Sequence, residues 1–169
     1  MEQKLTKQQI ELLKNLDSDS EQQSLKAIED LRNCGGEFAV EPLMDKFFST
    51  TSDEIKTKIG KLIVDIKSST VGDIIGKNIL KYENKDKLNI FLGYLWESSL
   101  NFTDLQPFVK LLFSENIQTS IESSTIIEEN LHKINEENKD LCLKYLKEHS
   151  VKDNFQKNII EMVKGCFEI

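Results

Sequence analysis

Turn-forming residues are scarce in this chain, whose 169 residues include only seven glycines and two prolines. A β-sandwich or barrel needs a turn every few residues, so this scarcity argues against both folds. It also excludes a collagen-like chain, in which every third residue is glycine. The length fits one domain or a short array of smaller units.

Arginine is rarer still, because Arg32 is the only one among 22 basic residues. The 29 acidic residues give a formal net charge of −7 and a pI near 5.0. Proteins that bind duplex nucleic acid are usually basic, since they replace the counterions of the phosphates. A nucleic-acid partner is therefore not expected.

Long apolar runs are missing, and stretches such as 62–64 are far shorter than the roughly 18 residues of a membrane span. The first nine residues also lack the apolar core of a secretory signal. We therefore expect a cytoplasmic protein without a membrane-spanning helix, although a mature chain whose signal was removed stays possible.

Cysteine and histidine are too few and too widely spaced to indicate a metal site. We expect Cys34, Cys142 and Cys166 to be buried reduced thiols, and His132 and His149 to lie on the surface. Phosphate-binding loops and the G-x-S-x-G nucleophile motif are absent, so no cofactor and no catalytic residue are predicted.

A few other residues invite a functional interpretation, and a structural one is preferred for each. Gly72 and Gly76 fit close helix packing better than a phosphate cradle. Trp96 is expected in the core, and Phe102 is expected to pack on the following helix, with an exposed contact as its alternative. Adjacent carboxylates diverge on a helix, so two pairs are interpreted as solvated surface: Glu128-Glu129 and Glu136-Glu137.

An internal repeat is the main positive signal, because one apolar pair, four residues apart, recurs at intervals of 32, 33 and 33 residues. Both prolines, Pro42 and Pro107, directly precede such a pair, which marks equivalent helix starts. The four pairs are Leu43 and Phe47, Ile75 and Ile79, Phe108 and Leu112, and Leu141 and Tyr145.

A second apolar set with helical spacing lies between these pairs. It comprises Ile55, Ile59, Leu62, Ile63 and Ile66; a shift of 33 gives Leu88, Leu92, Leu95 and Trp96, and a shift of 100 gives Phe155, Ile159, Met162, Val163 and Cys166. In the copy near residue 121, glutamates fall on core positions. We expect its apolar face to rotate to Ile117, Ile121, Ile127, Leu131 and Ile134.

These patterns predict an all-α chain, with no convincing strand. Ser52 is expected to cap one helix and Asn84 with Asp86 another. The ten expected helices span roughly 5–17, 20–34, 38–49, 52–67, 70–82, 85–98, 103–114, 116–134, 138–149 and 151–167. Antiparallel pairs repeating at about 33 residues describe an α-solenoid. We expect one domain over 1–169, with a cap helix in 1–19, repeats in 20–150 and a cap helix in 151–169.

The segments 52–66, 72–75 and 105–112 resemble HEAT repeats, because the second helix begins with proline followed by apolar residues. The resemblance covers about residues 20–150, and Ala27 is the main survivor of the arginine and alanine positions in the first helix. It implies a right-handed solenoid whose second helices line a concave face. Armadillo-like or unclassified helical repeats remain open.

The second helices carry a candidate binding surface in the residues that flank the core pairs. Two positions after the first core residue come Asp45, Lys77, Lys110 and Leu143, and six positions after it come Ser49, Lys81, Ser114 and Lys147. Lys144 joins from the neighbouring position. We expect stacked repeats to add the fields of five lysines, which would receive an acidic peptide or protein segment: Lys77, Lys81, Lys110, Lys144 and Lys147. A solvated lysine face kept for solubility is the alternative.

The predicted function is that of a non-catalytic protein-binding scaffold or adaptor, because HEAT-like proteins are mostly binding scaffolds. One alternative is an acidic immunity-type inhibitor that blocks a toxin through glutamates such as Glu128, Glu129, Glu136 and Glu137. The other is an enzyme on a HEAT-like scaffold acting on DNA bases or tetrapyrroles, which the charge balance and single arginine disfavour.

Overall fold

The computed structural model describes residues 5–34 and 36–168, and within these ranges the chain is all-helical with no strand. Short 3-10 turns precede or extend three of the helices. The ten α-helices are α1 (Lys7–Leu16), α2 (Glu21–Cys34), α3 (Val40–Ser49), α4 (Asp53–Asp65), α5 (Val71–Ile79), α6 (Leu88–Trp96), α7 (Gln106–Leu111), α8 (Ile117–Asn130), α9 (Glu136–Glu148) and α10 (Asn154–Phe167).

Side-chain caps fix several helix starts. The Ser52 hydroxyl accepts a hydrogen bond from the Ile55 amide, which confirms the predicted cap of α4. Asn116, Asn135 and Asp153 cap α8, α9 and α10 in the same way. These oxygens satisfy amides that have no partner inside the helix. The predicted cap at Asn84 and Asp86 is wrong, because α6 begins after Lys87, whose φ of 70° is left-handed.

The helices pack in two rows. The odd row, α1, α3, α5, α7 and α9, makes contacts in chain order, and the even row, α2, α4, α6, α8 and α10, does the same. Contacts between α1 and α2, α3 and α4, α7 and α8, and α9 and α10 join the rows. Arg32 at the end of α2 pairs with Asp65 at the end of α4, so these neighbours in the even row run parallel.

In the odd row, three of the four predicted apolar pairs lie in the core. Leu43 and Phe47 in α3, Ile75 and Ile79 in α5, and Phe108 and Leu112 at α7 are all fully buried. The fourth pair is wrong by one residue. Leu141 is 43% exposed and Tyr145 only half-buried, while Cys142 and Leu146 are buried instead. The last interval is therefore 34 residues rather than 33.

In the even row, the predicted set is correct in α4 and shifted in α10. Ile55, Ile59, Leu62 and Ile63 are buried in α4. In α10 the buried face is Gln156, Ile160 and Val163 together with Ile159 and Phe167, while Phe155 and Met162 are more than half exposed. Equivalent positions of α4 and α10 are therefore 101 residues apart rather than 100. The N-cap residues of the two helices, Ser52 and Asp153, have the same separation.

Helices α6 and α8 each depart from their expected faces. Trp96 was expected in the core but is 40% exposed, because α6 buries Phe91, Leu92 and Leu95 instead. In α8, Ile127 is buried and Ile121 is half-buried, but Ile117 is exposed. Leu131 and Ile134, which follow the helix, are half-buried. The buried face of α8 is largely polar and comprises Thr119, Ser120, Ser123, Ser124, Ile126, Ile127 and Asn130.

The cysteines are all reduced thiols, as expected, but they are not all buried. Cys34 is exposed at the end of α2, and Cys166 is intermediate. Cys142 is buried, and burial together with the charge of Asp104 raises its pKa to about 12. Only Cys142 therefore fits the interpretation of a buried thiol.

Close packing at Gly72 is confirmed, because a Cβ built there would lie 1.8 Å from the carbonyl oxygen of Asn101. Phe102, in the same loop, is buried and meets the ring of Phe108 edge-on at 4.8 Å, which excludes the exposed-contact alternative. Gly76 is less constrained, since its nearest such contact is at 3.9 Å. The loop before α7 therefore rests directly on the backbone of α5.

Substituting two helical glycines is expected to have opposite effects on stability. Gly72→Ala forces Asn101 away from α5 and should lower the free energy of unfolding by about 3 kcal/mol. Gly93→Ala meets nothing within 4 Å and should raise it by up to about 1 kcal/mol, because alanine is the better helix former. Urea unfolding followed by circular dichroism measures both; equal effects would contradict the close approach at Gly72.

The polar face of α8 contains one unsatisfied group. Ser120 donates to the carbonyl of Leu112 at 2.8 Å, and Ser124 donates to that of Ile121 at 2.8 Å. Among the buried side-chain nitrogen and oxygen atoms of the described residues, only the hydroxyl oxygen of Ser123 finds no partner. A buried hydroxyl without a hydrogen bond costs free energy.

Removing this hydroxyl is expected to stabilise the protein. Ser123→Ala should raise the free energy of unfolding by about 1 kcal/mol, since no hydrogen bond is lost and desolvation is relieved. Ser120→Ala serves as the control, because it removes a bond to Leu112 and should destabilise. A loss of stability in Ser123→Ala, measured by urea unfolding, would contradict this account.

Candidate functional site

The exposed face of the odd row carries one residue two positions after each first core residue. With the core positions at Leu43, Ile75, Phe108 and Cys142, these residues are Asp45, Lys77, Lys110 and Lys144. All four are exposed. The one-residue correction in α9 thus replaces Leu143 with Lys144 and completes a run of three lysines on consecutive helices of the odd row, α5, α7 and α9. We call Lys77, Lys110 and Lys144 the lysine row.

The other two predicted lysines lie outside this row. Lys81 is exposed in the 3-10 turn that extends α5, one helical turn beyond Lys77. Lys147 is exposed in α9, but the corrected register places Glu148, not Lys147, six positions after the core residue. Since one residue rotates a helix by 100°, Lys147 leaves the predicted position.

Carboxylates occupy three of the four positions that flank this face on one side. The residues two positions before the core positions are Glu41, Asp73, Gln106 and Asp140. Lys81 reaches Glu41 at 2.5 Å, so the lysine on α5's extension neutralises a carboxylate of α3. Lys144 lies 4.0 Å from Glu148. Exposed ion pairs of this kind contribute little to stability.

Three of the predicted lysines have no such compensation. Within residues 5–34 and 36–168, no carboxylate lies within 4.0 Å of the ammonium of Lys77, Lys110 or Lys147. The Lys110 ammonium instead lies 6.0 Å from the centre of the Tyr145 ring, at the outer limit of a cation–π contact. The lysine row therefore presents mostly unpaired positive charge.

An aromatic cluster adjoins the lysine row. His149 stacks on Tyr145 at 3.8 Å, and Phe113 meets the Tyr145 ring edge-on at 5.6 Å. Burial, and then the nearby Glu83 carboxylate, raise the pKa of Tyr145. The stacking fixes the ring beside Lys110 and Lys144. Sequence reasoning missed this cluster, because it assigned Tyr145 to the core.

The acidic end of the same face is held by Tyr82. Its hydroxyl donates to the Asp45 carboxylate at 2.6 Å, and its ring stacks on Phe48 at 4.3 Å. Burial raises the pKa of Tyr82, and the hydrogen bond to Asp45 and the charges of Asp45 and Glu41 raise it further. The contacts of Tyr82 and Lys81 thus connect the acidic start of the face to its basic part.

A cleft of about 470 Å³ opens beside Lys110, between the loops at 83–87 and 113–116. Lys85, Lys87 and Lys110 line it together with three acidic residues, Glu83, Asp86 and Glu115, so its formal charges balance. Another cleft, of about 570 Å³, lies at the ends of α2 and α4. There the single arginine, Arg32, is paired with Asp65 at 2.8 Å.

Chemistry-bearing residues elsewhere are dispersed. Within the part of the chain that the structure describes, no three His, Cys, Asp or Glu side chains are grouped so that they could hold a metal ion. His132 and His149 are both exposed, and so are the glutamates of the two acidic pairs, Glu128, Glu129, Glu136 and Glu137. Among residues 5–34 and 36–168, no helix combines the length and the apolarity that a membrane crossing requires.

Neither protein-family models nor curated proteins match this sequence.

The contact between Tyr82 and Asp45 predicts a pH-dependent effect of Tyr82→Phe. At pH 7 the variant should lose about 1 kcal/mol of unfolding free energy, because one hydrogen bond to a charged acceptor disappears. Since burial, and then the contact with Asp45, raise the pKa of folded Tyr82 above its ordinary value of 10.0, the stabilisation is fully present well below pH 10 and is lost as the pH rises further.

Urea unfolding of both proteins at pH 7, 9 and 10.5 measures this effect. The difference between them should stay constant up to pH 9 and shrink at pH 10.5. Tyr94→Phe is the control, because the Tyr94 hydroxyl makes no hydrogen bond to other described residues, and its ring packs on Gly60. A difference that grows above pH 10 would contradict the assigned shift.

Proposed function

We propose that this chain is a non-catalytic scaffold that binds an acidic protein segment along the lysine row. The two helix rows would form a right-handed, HEAT-like solenoid whose odd row lines the concave face. Chain-order contacts within both rows support this arrangement. The observation that carries the function is the recurrence of an exposed lysine at one position in α5, α7 and α9.

The spacing of the row indicates what the partner would look like. Packed helices lie about 8–10 Å apart, so Lys77, Lys110 and Lys144 would follow one another at roughly that interval. A polyproline II segment repeats every three residues and rises about 3.1 Å per residue, which is roughly 9 Å per turn. A partner with an acidic side chain at every third residue would therefore match the row.

The aromatic cluster would add specificity at one end. Tyr145, stacked on His149 and next to Lys110, offers a partly exposed ring against which a proline or another apolar residue of the partner could pack. At the other end, the Asp45 carboxylate would repel acidic side chains. The acidic segment would thus lie over α5, α7 and α9 rather than α3.

A defined peptide tests this proposal. The probe is a fluorescein-labelled (Glu-Pro-Pro)₄ peptide, and (Gln-Pro-Pro)₄ is its uncharged counterpart. The triple variant Lys77→Glu, Lys110→Glu, Lys144→Glu should weaken binding of the glutamate peptide at least tenfold in fluorescence anisotropy at low salt. The physical reason is that three attractive contacts become repulsive.

A matched variant separates the lysine row from net charge. Lys26→Glu, Lys61→Glu, Lys157→Glu changes the same number of exposed lysines, all on the even row, and should bind within twofold of the wild type. Circular dichroism confirms folding of each variant. Equal loss in both variants, equal binding of the glutamine peptide, or binding of (Lys-Pro-Pro)₄ instead would overturn the proposal; the last result would favour an acidic inhibitor of a basic partner.

A further inference from the structure

The outer grooves of the even row differ in chemistry along the chain. Between α2 and α4 the groove is polar: a cleft of about 540 Å³ is lined by Arg32 of α2 and by α4 residues that include Glu54 and Lys61. Arg32 also bridges the two helices by its pair with Asp65. Glu54 and Lys61 therefore mark the exposed positions of an even-row helix that lie next to the preceding helix of the row.

In α10, two apolar residues occupy the positions of Glu54 and Lys61. The 101-residue shift that matches Ser52 with Asp153 places Phe155 at the position of Glu54 and Met162 at that of Lys61. Phe155 is 55% exposed and Met162 51% exposed. They are seven residues apart, so they lie on one flank of α10, toward α8.

The facing wall on α8 follows from its match to α2. Ser24 of α2 and Ser120 of α8 each donate to the carbonyl of the residue eight positions earlier, at 3.0 and 2.8 Å. The two serines are therefore equivalent, and equivalent positions of α2 and α8 are 96 residues apart. This separation places Ile117 at the position of Glu21 and Ile121 at that of Leu25. Glu21 binds Ser52 of α4, so this flank of α2 faces the next helix of the even row.

The starts of α8 and α10 are held side by side. The Gln156 amide donates to the Ser120 hydroxyl at 2.8 Å and to the carbonyls of Leu112 and Ser114. By the two matches, exposed Ile117 and half-buried Ile121 lie on the flank of α8 toward α10, and exposed Phe155 and Met162 lie on the flank of α10 toward α8. We call the surface between these flanks the apolar groove, formed by Ile117, Ile121, Phe155 and Met162.

The charges around the apolar groove are mainly negative. Helix α8 contains three glutamates and no lysine or arginine. Glu128 stands where α2 has Arg32. On α10, Lys164 is engaged with Glu161 at 2.6 Å. A partner that covers the groove must therefore bring apolar side chains with a basic rim, since like charges would be repelled.

We propose that the apolar groove binds an amphipathic basic helix, with its apolar stripe against Phe155 and Met162 and its lysines or arginines against the glutamates of α8. An exposed apolar flank between two parallel helices takes such a ligand through residues spaced i, i+3, i+4 and i+7. The groove belongs to the even row, so this interaction is independent of the lysine row.

The test uses a fluorescein-labelled 18-residue peptide of leucine and lysine with its leucines on one helical face. A scrambled peptide of identical composition, with its leucines distributed around the helix, is the control ligand. Wild-type protein should bind the amphipathic peptide at least tenfold more tightly than the scrambled one in fluorescence anisotropy. The double variant Phe155→Glu, Met162→Lys installs the residues of α4, leaves the net charge unchanged and should lose at least tenfold in affinity.

A second variant controls for general loss of exposed apolar surface. Ile10→Gln, Leu141→Gln removes two exposed apolar residues outside the groove and should bind within twofold of the wild type. Equal binding of both peptides, or unchanged binding by the groove variant when circular dichroism shows it folded, would overturn the proposal. Sedimentation of the wild type as a dimer that the groove variant does not form would also overturn it, because a second copy would then be the occupant. Tighter binding to phosphatidylcholine vesicles than to the peptide would overturn it as well.

Discussion

Each helix buries its apolar stripe partly against the helix two elements away in the chain, because its own hairpin partner covers only one flank. This contact repeats in both rows. It is strengthened by polar contacts between neighbours in a row, such as the Arg32–Asp65 ion pair between α2 and α4 and the hydrogen bond from Gln156 of α10 to Ser120 of α8. The hydrophobic interior is therefore continuous, and the position of every surface residue depends on the register of its helix within the row.

The apolar pattern predicted the odd row well where bulky aliphatic and aromatic residues define the stripe. It placed Leu43, Ile75 and Phe108 correctly, and Ser52 marked the start of α4. It was wrong by one residue in α9 and α10, where apolar residues also occupy the neighbouring position. There hydropathy cannot distinguish a buried Cys142 from an exposed Leu141, whereas the caps and the packing of adjacent helices can.

The polar interior of α8 could not have been predicted from hydropathy, because two of its buried polar residues, Ser120 and Asn130, have hydrogen-bond partners outside α8. Ser120 and Gln156 satisfy carbonyls at the end of α7, and Asn130 accepts from the amide of Phe102. The buried face of α8 thus packs partly through hydrogen bonds, whereas the buried face of α4 packs through isoleucine and leucine side chains. This arrangement leaves α8 with few apolar residues for its inner face, and one of its isoleucines, Ile117, is exposed instead.

A one-residue change in the register of a helix has little effect on the apolar character of the core, but it changes which residues are exposed on the surface. Each residue rotates a helix by 100°. Moving the core position from Leu141 to Cys142 therefore keeps an apolar side chain in the core, but it changes which residues are exposed at every surface position of α9. Lys144 takes the place of Leu143 and completes the lysine row, while Glu148 takes the place of Lys147. In α10 the same step turns Phe155 and Met162 outward. The register of each helix against its neighbours therefore determines which residues form the lysine row and which residues are exposed on α10. The buried residues and the helix caps together set that register.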